Sequence, residues 1–327
     1  DHDRLCPVGA RRWDVGLVRY AQAVIDGETF LFVSETPGSW KRWPQPTRLL
    51  ALIQQGRDTF LAQTESVLEH GADYADAELA IGASFGTPST LRDFYAFEDH
   101  VKAGRRWRGL DMDPLWYQQP VFYFSNPYAV VGAGPVHATP GAQEFDFEME
   151  VAAVLWDGGR NLTPEEGESL IAGFCVMNDW SGRDVQREEM RMSMGPVKGK
   201  DTATSLGPVF VTVDELDDVR AGNGFDLGMR VEVNGVELSR SNLSEIYWSF
   251  GEMIAYASRG TEVRAGDVIG SGTANGGCLL ELRARPEIPQ PSWLQPGDVV
   301  TISVDRLGTL SNTVVAAEPV VPLRPGL

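Results

Sequence analysis

Residues 145–154 read FDFEMEVAAV, and this stretch limits the fold more than any other. Successive side chains of a strand point to opposite faces. Phe145, Phe147, Met149, Val151 and Ala153 then make one wholly apolar face. The other face carries Asp146, Glu148 and Glu150 and turns apolar at Ala152 and Val154. Two neighbouring carboxylates therefore sit on a strand face that runs into a core. Buried like charges repel and their desolvation is costly, so the pair requires basic side chains, a shared proton or a metal ion.

The rest of the chain can supply such a core. It has 327 residues, of which 43% are hydrophobic and 23% charged. That is the composition of a soluble globular protein with room for about two domains. The net charge of −18 excludes a general phosphate-binding face, so no nucleic acid is expected as a partner. It gives no support for an anionic membrane surface either, and no apolar run is long enough to span a bilayer. Cys6, Cys175 and Cys278 are far apart and odd in number. They form neither a disulfide framework nor a zinc-spacing motif. With no apolar signal-peptide core in DHDRLCPVGARRW, a cytoplasmic location is the expectation.

Two regions are expected: a small N-terminal accessory domain over residues 1–85 and a strand-rich body over 86–327. The segment LLALIQQGRDTFLAQTESVLEHG has apolar residues every three or four positions and predicts helix. From about residue 116, short strand patterns dominate: PVFYF, FDFEMEVAAVL, GPVFVTV, MRVEVNGVEL, DVIGSGT, CLLELRA and DVVTISV. Asn234-Gly235 marks a two-residue hairpin turn. Thr163, Pro164 and Glu166 give a capping box with proline at the first helical position, predicting a helix that runs on through ESLIAGFCVMND. The fold class is α+β. DVIGSGTANGG has glycines at 270, 272 and 276. That spacing is off by one for a dinucleotide loop, and the CLLELRA that follows reads as strand. The stretch is better read as a turn bringing backbone and Thr273 close to something small.

Several motifs together, in order, resemble the fumarylacetoacetate hydrolase family. DFEMEVA is similar to its E-x-E metal strand. MNDWSGRDVQ is similar to its N-D-x-S-A-R-D-x-Q loop, with Gly182 where alanine is usual. GPVKGKD is similar to the segment ending in its active-site lysine. SRSNLSEIYWSF, GDVIGSGT, LLEL and LGTLSN follow in the family's order. Asp93-Phe94-Tyr95, with His100 seven residues after the aspartate, resembles the fumarylacetoacetase-type branch. The resemblance covers about residues 85–312 and implies a mixed β-roll in a homodimer.

It also implies a site. The metal ligands would be Asp93, Glu148, Glu150 and Asp179, an oxygen set suited to Mg²⁺ most of all, or to Ca²⁺ or Mn²⁺. His100, oriented by Glu281, would take a proton from water. Lys200 would place positive charge near the developing oxyanion, with Gln186 beside it. Tyr95, Tyr128 and Thr273 would position the substrate. Arg105, Arg106 and Arg108 compete for the family's substrate arginine. Arg183 and Asp184 are expected to pair structurally near the metal loop. The implied reaction is metal-dependent C–C hydrolysis of a small 1,3-diketo acid resembling fumarylacetoacetate or an acylpyruvate. Two alternatives stand beside it. One is a decarboxylase, tautomerase/isomerase or hydratase acting on a metal-bound enolate of a small keto acid. The other is a non-catalytic binding protein of the same fold.

Overall fold

The computed structural model describes residues 18–36 and 38–324. Cys6 and the other residues of DHDRLCPVGARRW lie outside them. The architecture is α+β with mixed sheets, a β-roll. The larger sheet runs in the order Ala72–Ala75, Ser39–Arg42, Glu28–Thr36, Arg19–Ile25, Thr204–Thr212, Ile171–Asp179, Met149–Leu155, Val268–Gly270, Leu91–Phe94, Phe122–Ser125. A five-stranded sheet contains Val236–Asn242, Gly228–Val233, Val299–Val304, Gly308–Val315 and Gly134–His137. No helix among the described residues is long and apolar enough to cross a membrane.

The strand Met149–Leu155 lies at the middle of the fold and explains its own pattern. It is hydrogen-bonded on one side to Ile171–Asp179 and on the other to Val268–Gly270. All seven residues are buried. Met149, Val151, Ala153 and Leu155 enter one core. Ala152 and Val154, on the carboxylate face, enter a second core with Leu91, Met177 and Val268. The face that begins with Glu148 and Glu150 thus packs as ordinary interior two residues later, so these carboxylates stand at the rim of a core.

Strands from the first 85 residues continue the same sheet. Arg19–Ile25 pairs antiparallel with Thr204–Thr212, Tyr20 opposite Phe210, and Tyr20, Phe60 and Phe85 pack in one core with Phe210 and Cys175. The helical pattern over 49–70 forms two helices, Leu49–Ile53 and Arg57–His70. The Asn234-Gly235 turn joins Gly228–Val233 to Val236–Asn242. Both turn residues have positive φ, 54° and 76°, the backbone such a turn requires.

Two element assignments need correction. The capping box at Thr163 is formed, with the Glu166 N–H donating to Thr163 Oγ1 at 3.2 Å and the Thr163 N–H to Glu166 Oε2 at 2.8 Å. The helix stops, however, at Pro164–Ser169. Ile171–Asp179 is a strand, and all nine of its residues are buried. A strand covered on both faces reads as a continuous apolar run, which periodicity does not separate from a buried helix. CLLELRA, expected as strand, instead forms the helix Leu279–Arg283. Its Leu279 and Leu280 N–H groups donate to the Asp146 carboxylate at 2.8 and 3.1 Å. A distant side chain therefore satisfies the first turn, and no local cap marks it.

Candidate functional site

Three strands within a run of four neighbours deliver the carboxylates. Asp179 ends Ile171–Asp179, Glu150 lies in Met149–Leu155 with Glu148 just before it, and Asp93 lies in Leu91–Phe94. Between the last two runs Val268–Gly270, whose Gly270 is opposite both Ala152 and Asp93. A Cβ on Gly270 would strike Asp93 Oδ1. The missing side chain lets Asp93 lean across one strand toward the two glutamates. Oxygens of Asp93, Glu148, Glu150 and Asp179 come within 4.8 Å of one another, and all four residues are buried.

Two cations face this cluster. Lys200 Nζ donates to Asp179 Oδ2 at 2.6 Å and also to Glu148 Oε2. Its loop is closed by Glu189, whose carboxylate accepts from the N–H groups of Val197, Lys198 and Gly199 at 2.7–3.1 Å. Arg183 Nη2 lies 2.8 Å from Glu148 Oε1, and Arg183 Nε donates to Asp146 Oδ2 at 2.8 Å. The expected pairing of Arg183 with Asp184 is not formed. The Asp184 carboxylate instead accepts from the N–H groups of Gln143 and Glu144.

The carboxyls respond unequally. Burial raises the Glu148 carboxyl, but Lys200 and Arg183 outweigh it and hold the group well below its usual range. Burial and neighbouring carboxylates push Asp93 and Glu150 well up. Burial also lifts Asp179 to about 6 against the pull of Lys200. Lys200 stays charged, because Asp179 and Glu148 more than offset its burial. Asp93 Oδ1, Glu150 Oε2 and Asp179 Oδ1 are buried and have no hydrogen-bond partner among the described residues. Converging, unpartnered oxygens that favour protonation are the donor set of a hard divalent cation. The residues fit such an ion.

Stability should therefore depend on pH with opposite sign with and without the ion. A carboxyl whose folded pKa is raised stabilises fully below its unfolded pKa, near about 4, and loses this as pH rises through the folded value. Without divalent ions, melting temperature should fall from about pH 4 through the Asp179 value of about 6 and on through the Asp93 and Glu150 titrations. Glu148 acts only below this window, since its depressed pKa makes its contribution fade on acidification. Saturating Mg²⁺ should abolish or reverse the decline, because the ion binds the ionised carboxylates. Thermal melts in chelator and in Mg²⁺ across pH 4.5–8 test this, and parallel curves would count against a cation site here.

The cluster opens into a cavity of about 240 Å³. His100 is in its wall, 6% exposed. His100 Nδ1 is 2.6 Å from Glu281 Oε1, and Glu281 Oε2 accepts from the Gly276 N–H at 2.8 Å. Asp146 thus bridges two parts of the site, holding the first turn of the Glu281 helix and Arg183 together. With the Nδ1 proton toward Glu281, the Nε2 lone pair is free to accept a proton.

Of the sequence-predicted residues, Asp93, Tyr95, His100, Glu148, Glu150, Gln186, Lys200 and Thr273 line this cavity. Asp179 and Glu281 stand behind them through their contacts with Lys200 and His100. Gln186 Oε1 accepts from Arg183 Nη1 at 3.3 Å. Thr273 Oγ1 donates to Glu150 Oε1 at 3.4 Å. Tyr128 is not brought in: it sits on the turn Pro127–Ala129 and is 88% exposed. The tyrosine in the wall is Tyr123, whose hydroxyl donates to Asp179 Oδ2 at 2.5 Å. Of the three competing arginines, Arg108 lines the cavity. Asp146, Tyr123 and Arg183 were missed or misassigned from sequence. The alternation in PVFYF carried a signal for Tyr123, since the strand Phe122–Ser125 sets it opposite Asp93.

Residues 89–315 match the family described as "Fumarylacetoacetate (FAA) hydrolase C-terminal". The fumarylacetoacetase of Arabidopsis thaliana is 28% identical over 268 residues, 64% of this chain and 63% of that protein. The chain thus spans under two thirds of that relative's length. "Oxaloacetate tautomerase YisK" of Bacillus subtilis is 28% identical over 325 residues, 93% of this chain and 96% of the other. A solved structure of a fumarylacetoacetate hydrolase from Exiguobacterium antarcticum superposes with a TM-score of 0.70 at 26% identity, covering 91% of this chain and 99% of that one.

Proposed function

The chain belongs to the fumarylacetoacetate hydrolase family, and from that premise we propose that it is a divalent-metal-dependent enzyme hydrolysing the C–C bond of a small 1,3-diketo acid. The observation that carries the hydrolytic reading is the 2.6 Å contact of His100 Nδ1 with Glu281 Oε1 in the wall of the carboxylate cavity. Asp93, Glu148, Glu150 and Asp179 would hold the ion. When bound, it supplies Lewis-acid polarisation of the diketo oxygens, worth several kcal/mol.

The chain's own groups do the rest. Glu281 fixes the Nδ1 proton of His100, so Nε2 takes a proton from water, a role worth about 10²–10⁴-fold. The water oxygen bonds to the carbonyl carbon, and the bond from that carbon to the central carbon breaks. Its electron pair delocalises onto the neighbouring keto oxygen, and the proton on Nε2 returns to the departing fragment. The products are one carboxylic acid and one ketone or keto acid. Lys200, buried and charged, faces the developing negative charge. Arg108, Tyr95 and Gln186 offer polar contacts at the cavity wall, while Trp107 and Phe122 offer apolar ones. A small diketo acid as ligand and a homodimeric assembly belong to the same proposal.

A second reading is favoured by the near full-length similarity to an oxaloacetate tautomerase. Tautomerisation moves a proton and needs no attacking water, so an oriented His–Glu base is not required for water activation. A panel of acylpyruvates and related diketones, assayed with Mg²⁺ or Mn²⁺, tests the proposal. Chelator-sensitive loss of diketone absorbance with two products supports hydrolysis. Turnover of oxaloacetate with no cleavage of any diketone replaces it with the second reading.

A further inference from the structure

His100, Glu281 and Cys278 form a second cluster, separate from the four carboxylates. Ligand atoms of all three lie within 4.8 Å of one another and all three residues are buried. Cys278 Sγ is 3.9 Å from His100 Nδ1 and 3.8 Å from Glu281 Oε1, and the last two atoms are 2.6 Å apart. Cys278 is the residue just before the helix Leu279–Arg283. The Asp146 carboxylate grips that helix at Leu279 and Leu280, so the thiol and the Glu281 carboxylate are fixed on the same short frame.

This donor set differs in kind from the first. One thiol, one imidazole and one carboxylate match the borderline-soft preference of zinc, whereas four carboxylates match a hard ion. Tetrahedral bonds of about 2.3 Å to sulfur and about 2.0–2.1 Å to nitrogen and oxygen imply ligand–ligand edges of about 3.3–3.6 Å. The two sulfur edges are a few tenths of an ångström longer than this. The His100–Glu281 edge must open by under an ångström as its hydrogen bond breaks. His100 stands between this cluster and the cavity, and a water would complete the fourth position.

We propose that His100, Cys278 and Glu281 form an inhibitory site for Zn²⁺ or another thiophilic divalent ion, distinct from the carboxylate centre. Binding forms bonds from the ion to Sγ, Nδ1 and a Glu281 oxygen. The thiol proton leaves to solvent, and the Nδ1 proton moves to Nε2 by way of water, keeping the imidazole neutral. With Nε2 protonated, His100 no longer accepts a proton from water. The ligand cluster stands independently of the reaction; the inhibitory consequence rests on His100 acting as the base.

The test begins with full-length protein saturated with Mg²⁺. Cd²⁺ is added and the thiolate-to-metal charge-transfer absorbance is followed, a signal that needs no turnover. One equivalent should produce the band, and Cys278→Ser should abolish it. His100→Asn, which keeps the thiol, should weaken Cd²⁺ at least about tenfold and serves if the serine variant fails to fold. In assays with excess Mg²⁺, Zn²⁺ should inhibit the wild type at least about tenfold more strongly than Cys278→Ser, each rate normalised to its own zinc-free value. A band that persists in Cys278→Ser, or Cd²⁺ affinity unchanged in His100→Asn, overturns the site. A band that behaves as expected with no inhibition overturns the inhibitory role.

Discussion

Glu150→Gln should move stability and activity in opposite directions. Glu150 is fully buried, its carboxyl is pushed well up by burial and by Asp93 and Glu148, and its Oε2 has no hydrogen-bond partner among the described residues. In divalent-free buffer the amide replaces a buried carboxyl whose ionised form is disfavoured, at nearly constant volume. The melting temperature should therefore hold or rise. With Mg²⁺ the same change deletes one oxygen donor of the proposed set. Lewis-acid assistance is worth several kcal/mol, and each 1.36 kcal/mol is tenfold in rate. A fall in kcat/KM of at least about 100-fold follows, with weaker Mg²⁺ binding by calorimetry. If the variant is destabilised without metal yet keeps its activity, Glu150 is a structural carboxylate and no ion sits beside it.

His100→Ala separates base from metal site. Its ring is paired with Glu281 and edge-on to Tyr95, at a centroid distance of 5.3 Å. It makes no hydrogen bond to the four carboxylates. Turnover should drop by about 10²–10⁴-fold, the usual worth of a positioned base. Mg²⁺ affinity should change by less than about threefold. Glu281→Gln should fall between wild type and this variant, because the amide keeps a partner for Nδ1 but loses the charge that stabilises the imidazolium. Wild-type kcat in His100→Ala would remove the base from the chemistry and favour the tautomerase reading.

The carboxylate pair was legible because alternation in FDFEMEVAAV forces Glu148 and Glu150 onto one face, and the core that continues that face is present at Ala152 and Val154. The capping box at Thr163 and the Asn234-Gly235 turn were legible because both signals are local. The Asp26-Gly27 pair, with positive φ at both residues, joins Arg19–Ile25 to Glu28–Thr36 in the same way. That hairpin signal is equally local and lies within residues 1–85. What failed was set by tertiary partners. Ile171–Asp179 is a strand because sheet neighbours cover both sides of it. The Leu279–Arg283 helix depends on Asp146, more than 130 residues away in sequence. Arg183 turns to Asp146 and Glu148, 37 and 35 residues earlier in sequence, which no local pattern at Arg183-Asp184 encodes.

The most direct measurement of the central claim is hydrolysis in ¹⁸O-labelled water. Protein with Mg²⁺ and an acylpyruvate-type diketone should release two fragments, with solvent ¹⁸O entering the newly formed carboxylate. Chelator should stop the release, and His100→Ala should slow it in proportion to its kcat. If no substrate is cleaved and no label enters a carboxylate, while oxaloacetate tautomers interconvert at the same rate in wild type and His100→Ala, then the water-activating role of His100 and Glu281 is wrong.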